Sequence, residues 1–129
     1  MNIQKLYLDT HVLIWLYDQG VTRFTDLAIE CLEAAQELLI SPIVLLEIEY
    51  LYEIGRITQP SSVITHYLFE HLALSVCSKP FHQVVAKALE VKWTRDPFDR
   101  LITAQANLDQ DPLLTKDPTI QHHYPHAVW

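Results

Sequence analysis

Residues 5–17 read Lys-Leu-Tyr-Leu-Asp-Thr-His-Val-Leu-Ile-Trp-Leu-Tyr. Lys5 to Leu8 has the composition of a short strand, and from Thr10 the apolar residues recur at helical spacing to Tyr17, before Gly20 interrupts them. This is one β-α step, and an acid, Asp9, stands at the joint.

Outward from that step the alternation continues. Thr25 to Leu39 reads as an amphipathic helix, capped by Thr25, with Leu27, Cys31, Leu32, Ala35 and Leu38 or Leu39 along one side; Leu39 to Ser41 adds a short strand. Ser41-Pro42 gives an N-cap followed by proline at the first helical position, opening a helix to about Ile54 that stops at Gly55. Ser61 or Ser62 caps a helix to about Leu72, Ala73 to Val76 resembles a strand, and Pro80 begins a helix to about Val91. Asp96-Pro97-Phe98-Asp99 combines an N-cap, a proline and a first-turn acid, introducing a helix from Pro97 to about Leu108. Leu113 to Thr115 reads as a strand, Asp117-Pro118 starts a short helical turn, and Ala127 to Trp129 is extended. Strands alternating with helices predict an α/β sandwich around a mainly parallel sheet.

With 129 residues, half of them hydrophobic, and only two glycines, the composition is that of one packed domain spanning 1–129 and not of a disordered chain. Cys31 and Cys77 form no C-x-x-C pair and lie among apolar neighbours, as buried free thiols do. The N-terminus lacks the pattern of a signal peptide and no apolar run is long enough to span a membrane, so a soluble cytoplasmic protein is expected. A net charge of −7 argues against a partner as anionic as nucleic acid, unless several carboxylates share a site with a divalent cation that reverses the local field.

Ligands of parallel α/β sheets bind in the crevice beyond the C-terminal ends of the strands. Asp9 ends the first strand and Asp117 follows the strand Leu113–Thr115, so both map to that edge. Glu47 falls within an apolar helical stripe of Ile43, Tyr50, Leu51 and Ile54, where a carboxylate needs a partner, whereas Glu49 shares a side with Glu53 and Arg56 as on a solvated face. Asp99 lies in the first turn of the Pro97 helix. Asp96 reads as that helix's cap, with an auxiliary place in the acidic site as its other reading. Asp9 and Asp117 could likewise be mere helix caps, and Glu47 could pair with a buried cation. Several segments sending carboxylates to one crevice would nevertheless be costly without a metal ion.

Such a site suits phosphodiester hydrolysis with Mg²⁺ held by carboxylates. Zinc is less well matched, because the histidines do not form H-x₃-H with an acid between, and His122, His123 and His126 cluster near the C-terminus without a matching thiolate and read mainly as surface residues. Phosphate-binding loops, the G-x-S-x-G elbow and the dinucleotide fingerprint are all missing. An aspartyl-phosphate phosphatase would want an acid where His11 stands.

The stretches LYLDTHVLIWL, SPIVLLEIEYL, DPFDRLITAQA and LLTKDPTI together resemble the successive motifs of PIN domains, and most nearly those of VapC-like toxins of type II toxin-antitoxin systems. The resemblance covers nearly the whole chain. It implies a PIN-like three-layer α/β/α sandwich and a Mg²⁺- or Mn²⁺-dependent endoribonuclease. Asp9, Glu47, Asp99 and Asp117 would be the four motif acids, and Asp96 would be drawn into the metal-binding set. It further implies RNA ends carrying 5′-phosphate and 3′-hydroxyl, a homodimer, and a cognate antitoxin whose C-terminal segment lies near the active site. Thr10 and Thr115 resemble residues that support the acids. Arg100 would steer phosphate, brace the acids or form a surface salt bridge. Thr94 stands where relatives often carry His. Trp15, Tyr17, Tyr50 and Tyr52 could line interfaces or belong to the core. Two other readings are a PIN-fold binding module without activity and a metal-dependent phosphatase of small esters.

Overall fold

The computed structural model describes residues 1–129. In chain order the elements are β1 (Ile3–Leu8), α1 (Thr10–Gln19), α2 (Asp26–Ala34), β2 (Ala35–Ile40), α3 (Pro42–Glu53), α4 (Ser61–His71), β3 (Leu74–Val76), α5 (Phe81–Ala88), α6 (Pro97–Asn107), β4 (Leu113–Leu114), α7 (Pro118–His123) and β5 (Ala127–Val128).

The sheet has five strands in the order β3-β2-β1-β4-β5, and every neighbouring pair is parallel. In its interior strands, consecutive residues are buried together: Leu6, Tyr7 and Leu8 in β1, Leu38, Leu39 and Ile40 in β2, Leu113 and Leu114 in β4. Successive side chains of a strand point to opposite faces, so helices cover the central sheet on both sides, the arrangement of a three-layer α/β fold. No helix is long and apolar enough to cross a membrane. Cys31 and Cys77 are buried free thiols, as expected.

One element departs from the sequence reading. The second helix is expected to continue to Leu39, but it ends at Ala34, and Ala35–Ile40 forms β2. Ala, Gln, Glu and Leu favour helix intrinsically, and no glycine or proline marks the change. Parallel pairing overrides them, with Leu6 beside Leu38 and Tyr7 beside Leu39. The chain switches at Ala35, whose backbone is extended (ψ 131°) while its N–H still donates to the Cys31 carbonyl.

A second correction concerns α4. Neither Ser61 nor Ser62 caps it: the N-cap position is Pro60, which offers no side-chain acceptor. Glu49 of α3 supplies the missing group instead, its Oε1 accepting the Ser61 N–H at 3.0 Å. Glu49 is therefore a tertiary cap and not the solvated, salt-bridging residue the sequence suggests; no ion pair joins it to Arg56.

The strand order reverses between β1 and β4. From β1 the chain builds outward through β2 and β3, then crosses to the other side for β4 and β5. At such a switch point the connections leave in opposite directions and open a crevice above the strand ends. Asp9 follows one of these two strands and Thr115 the other.

Candidate metal centre

Asp9 is the N-cap of α1 and is 3% exposed. Its Oδ1 accepts the Thr10 N–H at 2.8 Å and its Oδ2 accepts the Thr115 hydroxyl at 2.7 Å. That hydroxyl in turn accepts the Asp117 N–H at 3.0 Å. On the other side, the Thr10 hydroxyl donates to Glu47 Oε1 at 2.5 Å. One hydrogen-bonded chain thus runs from α3 through the β1-α1 joint to the β4-α7 joint, with Thr10 and Thr115 as links between the acids. The supporting contacts expected of these two threonines are present.

Asp117 caps α7, its Oδ1 accepting the Thr119 and Ile120 N–H groups, and Asp96 caps α6 in the same way through Phe98 and Asp99. Each cap turns one oxygen to the helix end, where the dipole favours negative charge. Asp99, in the first turn of α6, has no hydrogen bond to the threonine chain and joins the group through its electrostatic field.

That field is strong. Burial, together with the charges of Asp96, Asp9, Asp117 and Glu47, pushes the Asp99 carboxyl up to about 7. Burial also pushes Glu47 up to about 7, with Asp9 and Asp96 adding to the rise and the Thr10 hydrogen bond opposing it. The other four acids nominated from the sequence therefore all act on Asp99. None has a Lys or Arg within ion-pair distance; the sole partner is His11, whose Nδ1 lies 3.6 Å from Asp9 Oδ2. Burial holds the His11 pKa below its ordinary value, against the pull of Asp9 and Asp117, so it supplies little compensating charge.

The apolar stripe that singled out Glu47 is revised by the structure. The residues of α3 that enter the core are Val44 and Ile48, while Tyr50 and Ile54 are exposed. Glu47 sits on the half-buried flank between core and surface, which lets its carboxylate reach Thr10. Arg100 is engaged elsewhere. Its Nε and Nη2 donate to the Ala88 carbonyl at 3.2 and 3.1 Å, closing the end of α5, and it neither braces the acids nor forms a salt bridge. The Thr94 hydroxyl, two residues before the cap, accepts the Asp96 N–H at 3.2 Å. His122, His123 and His126 are exposed, with His123 stacked on Trp93. Of the four aromatic candidates, Trp15 and Tyr17 pack against the core and Tyr50 and Tyr52 are exposed.

Sequence reasoning passes over His11, treating it only as a position lacking an acid. Its ring accepts the Lys116 N–H at Nε2 (2.9 Å) and so ties the β1-α1 joint to the β4-α7 joint. Its place two residues after Asp9, in the first turn of α1, is the signal that could have found it.

The donors are all hard carboxylate oxygens with unbalanced negative charge, which suits Mg²⁺ or Mn²⁺. No three His, Cys, Asp or Glu side chains stand close enough to hold one ion between them. A closed zinc cage needs that convergence; Mg²⁺ takes one or two carboxylates directly and keeps several waters, so the residues present fit it.

A doubly covered parallel sheet with a cluster of carboxylates at its switch point defines an α/β protein with an acidic site beyond its strand ends. The PIN domain family model matches residues 6–124, and the chain belongs to the PIN-domain family. It is 33% identical over 127 residues to Ribonuclease VapC22 of Mycobacterium tuberculosis, covering 95% of this chain and 96% of that protein. The fold is shared with VapBC2 from Rickettsia felis bound to a promoter DNA fragment (TM-score 0.68, 14% identity, 97% of this chain and 96% of that one). It is shared also with VapBC-1 from nontypeable Haemophilus influenzae (TM-score 0.66, 15% identity, 98% and 96%).

Proposed function

We propose that this chain is an endoribonuclease and the toxin half of a VapBC-like toxin-antitoxin pair, acting in the cytoplasm as one PIN domain. The observation that carries the reading is the group of uncompensated carboxylates at the switch point, two of them with their pKa values raised toward neutrality by burial and by one another. The likeness to a protein named as a ribonuclease, and to toxin-antitoxin complexes in fold, supports the substrate class and the partner.

In this reading Asp9, Glu47, Asp99 and Asp117, with Asp96 beside them, hold Mg²⁺ or Mn²⁺, one or two of them directly and the others through the waters the ion keeps. When bound, the ion supplies an activated water and stabilises the charge that develops on the phosphate and the leaving oxygen. Thr115 and the Thr10 N–H fix both oxygens of Asp9, so this carboxylate enters the reaction already oriented. The Thr10 hydroxyl holds one oxygen of Glu47, Oε1. Glu47 and Asp99 can each hold a proton near neutral pH while the ion is away and release it when the ion arrives.

A cognate antitoxin and a second copy of the chain are the proposed protein partners. The exposed apolar side chains Leu46, Tyr50, Tyr52, Ile54, Tyr67 and Phe69 on α3, its end and α4 support surfaces that are covered in a complex. Purified chain with Mg²⁺ should cut cellular RNA to 5′-phosphate and 3′-hydroxyl ends; chelation should stop it, and Asp9→Asn should lower the rate by a factor on the order of 10³. Cleavage that persists through both treatments overturns the proposal.

A further inference from the structure

Beside the acids, the same sheet edge carries an organised set of cations and rings. The chain has nine Lys and Arg against sixteen Asp and Glu, yet of those nine only Lys79 and Lys87 lie in ion pairs. Two of the unpaired cations, Arg23 and Lys116, come from distant parts of the chain and converge on one indole. The Arg23 guanidinium lies 3.9 Å from the centroid of the Trp15 ring and Lys116 Nζ lies 5.7 Å from it. Both cations are exposed. Trp15 meets Trp129 edge-on at 5.9 Å, and Trp129 packs on Phe24 at 4.9 Å, which fixes the cluster to the body of the protein.

His11 connects this cluster to the acids. Its ring lies 4.8 Å from Trp15, its Nδ1 is 3.6 Å from Asp9 Oδ2, and its Nε2 takes the backbone N–H of Lys116, the residue before Asp117. The charges of Asp9, Asp117, Arg23 and Lys116 all act on that one ring. His11 thus touches both Asp9 and the Trp15 ring on which the two cations converge.

A carboxylate-lined site repels a polyanionic strand, and exposed cations at its border are what let phosphates approach. Two cations left without carboxylate partners in so acidic a chain are suited to that role. Indole and guanidinium planes also stack on bases, provided the base is free of its own neighbours, as in unpaired RNA.

We infer that Trp15, Arg23, Lys116 and Trp129 form a positioning ledge for unpaired RNA beside the scissile phosphate: Arg23 and Lys116 meet flanking phosphates, and the ring–guanidinium stack receives a base. The inference rests on the ribonuclease reading above.

The test joins two measurements. A short, fluorescently labelled single-stranded RNA is titrated onto the non-cutting Asp9→Asn chain over a range of salt, alone and with Arg23→Gln plus Lys116→Gln added. KM and kcat for cleavage are measured with Asp9 intact. Lys5→Gln, in the N-terminal half of β1, serves as the single-charge control, set against Arg23→Gln and Lys116→Gln taken singly as well as together. Neutralising Arg23 and Lys116 should raise Kd and KM about tenfold, leave kcat within about twofold, and flatten the plot of log K against log salt by about 0.7 for each lost phosphate contact. Lys5→Gln should change none of these. A duplex of the same sequence should bind at least about tenfold more weakly than the single strand.

A double variant that binds and cuts like Lys5→Gln overturns the ledge while the ribonuclease reading stands. Equal binding of duplex and single strand overturns its preference for unpaired RNA. Absence of cleavage by the unaltered chain with any divalent ion strikes the ribonuclease reading instead, and shows itself separately because binding is read on a chain that does not cut. Arg23 and Lys116 are exposed, so their replacement leaves the fold intact.

Discussion

The Thr115 hydroxyl is fully buried and serves two neighbours, donating to Asp9 Oδ2 and accepting from the Asp117 N–H. Thr115→Val keeps the shape and strips both bonds, leaving a buried carboxylate oxygen unpaired. A loss of about 1–3 kcal/mol in urea unfolding is expected, with Thr115→Ser recovering most of it. Equal stability of the two variants would show that the hydroxyl does not hold the carboxylate. Glu47 and Asp99 set a second expectation. Their folded pKa values, about 7, lie above the ordinary carboxyl range. Between that range and pH 7, the folded chain holds protons that the unfolded chain has released, so stability falls as pH rises through this window. His11, lowered by burial, contributes the opposite slope below its ordinary value of 6.5. Metal-free protein should therefore lose stability between about pH 5 and pH 8, and Asp99→Asn should lose less, which isolates the carboxyl contribution from that of His11. An identical pH profile for the two proteins would contradict the raised Asp99 pKa.

At the scale of elements, three helices begin at the site and each begins on an acid: α1 on Asp9, α6 on Asp96 and α7 on Asp117. The capping and the metal-binding readings of these residues are thus compatible, since each helix end engages one oxygen only; at Asp96 and Asp117 the other is left, and at Asp9 it takes the Thr115 hydroxyl. Asp96 is where the two can be separated. Asp96→Ala should cost about 1 kcal/mol of stability through loss of the cap, and Asp96→Ser should restore it. If Asp96 also serves the ion, cleavage stays depressed in the serine variant despite recovered stability; full recovery of both would make it a cap alone. Capping signals are legible in the sequence because they are local: Asp-Pro at α6 and α7 and Ser-Pro at α3 each mark their helix start. The start of α4 is not legible, because its cap comes from Glu49, twelve residues away on another helix. Nor is the α2-β2 boundary, where pairing with β1 decides the conformation of residues that locally favour helix. Asp9 and Asp117 can be placed from strand ends alone, and Thr10 and Thr115 only through family likeness. His11 requires the two loops to be seen side by side.

For the molecule as a whole, the parallel sheet places the site. Strand order β3-β2-β1-β4-β5 puts the ends of β1 and β4 together, although Asp9 and Asp117 are more than a hundred residues apart in sequence. The acids that meet there account for part of the net charge of −7 and none forms an ion pair with a Lys or Arg. The fold therefore concentrates negative charge where a divalent cation is the natural counter-charge, and the central claim is that these carboxylates bind one together. Calorimetric titration of Mg²⁺ into metal-free protein near neutral pH, repeated in buffers of different ionisation enthalpy, tests it most directly. Because Glu47 and Asp99 are partly protonated there, binding should release protons, visible as a heat that depends on the buffer. Asp9→Asn should abolish binding, and Asp99→Asn should weaken it and reduce the proton release. Binding that is unchanged in both variants, or no binding at all to the unaltered chain, would contradict the shared site.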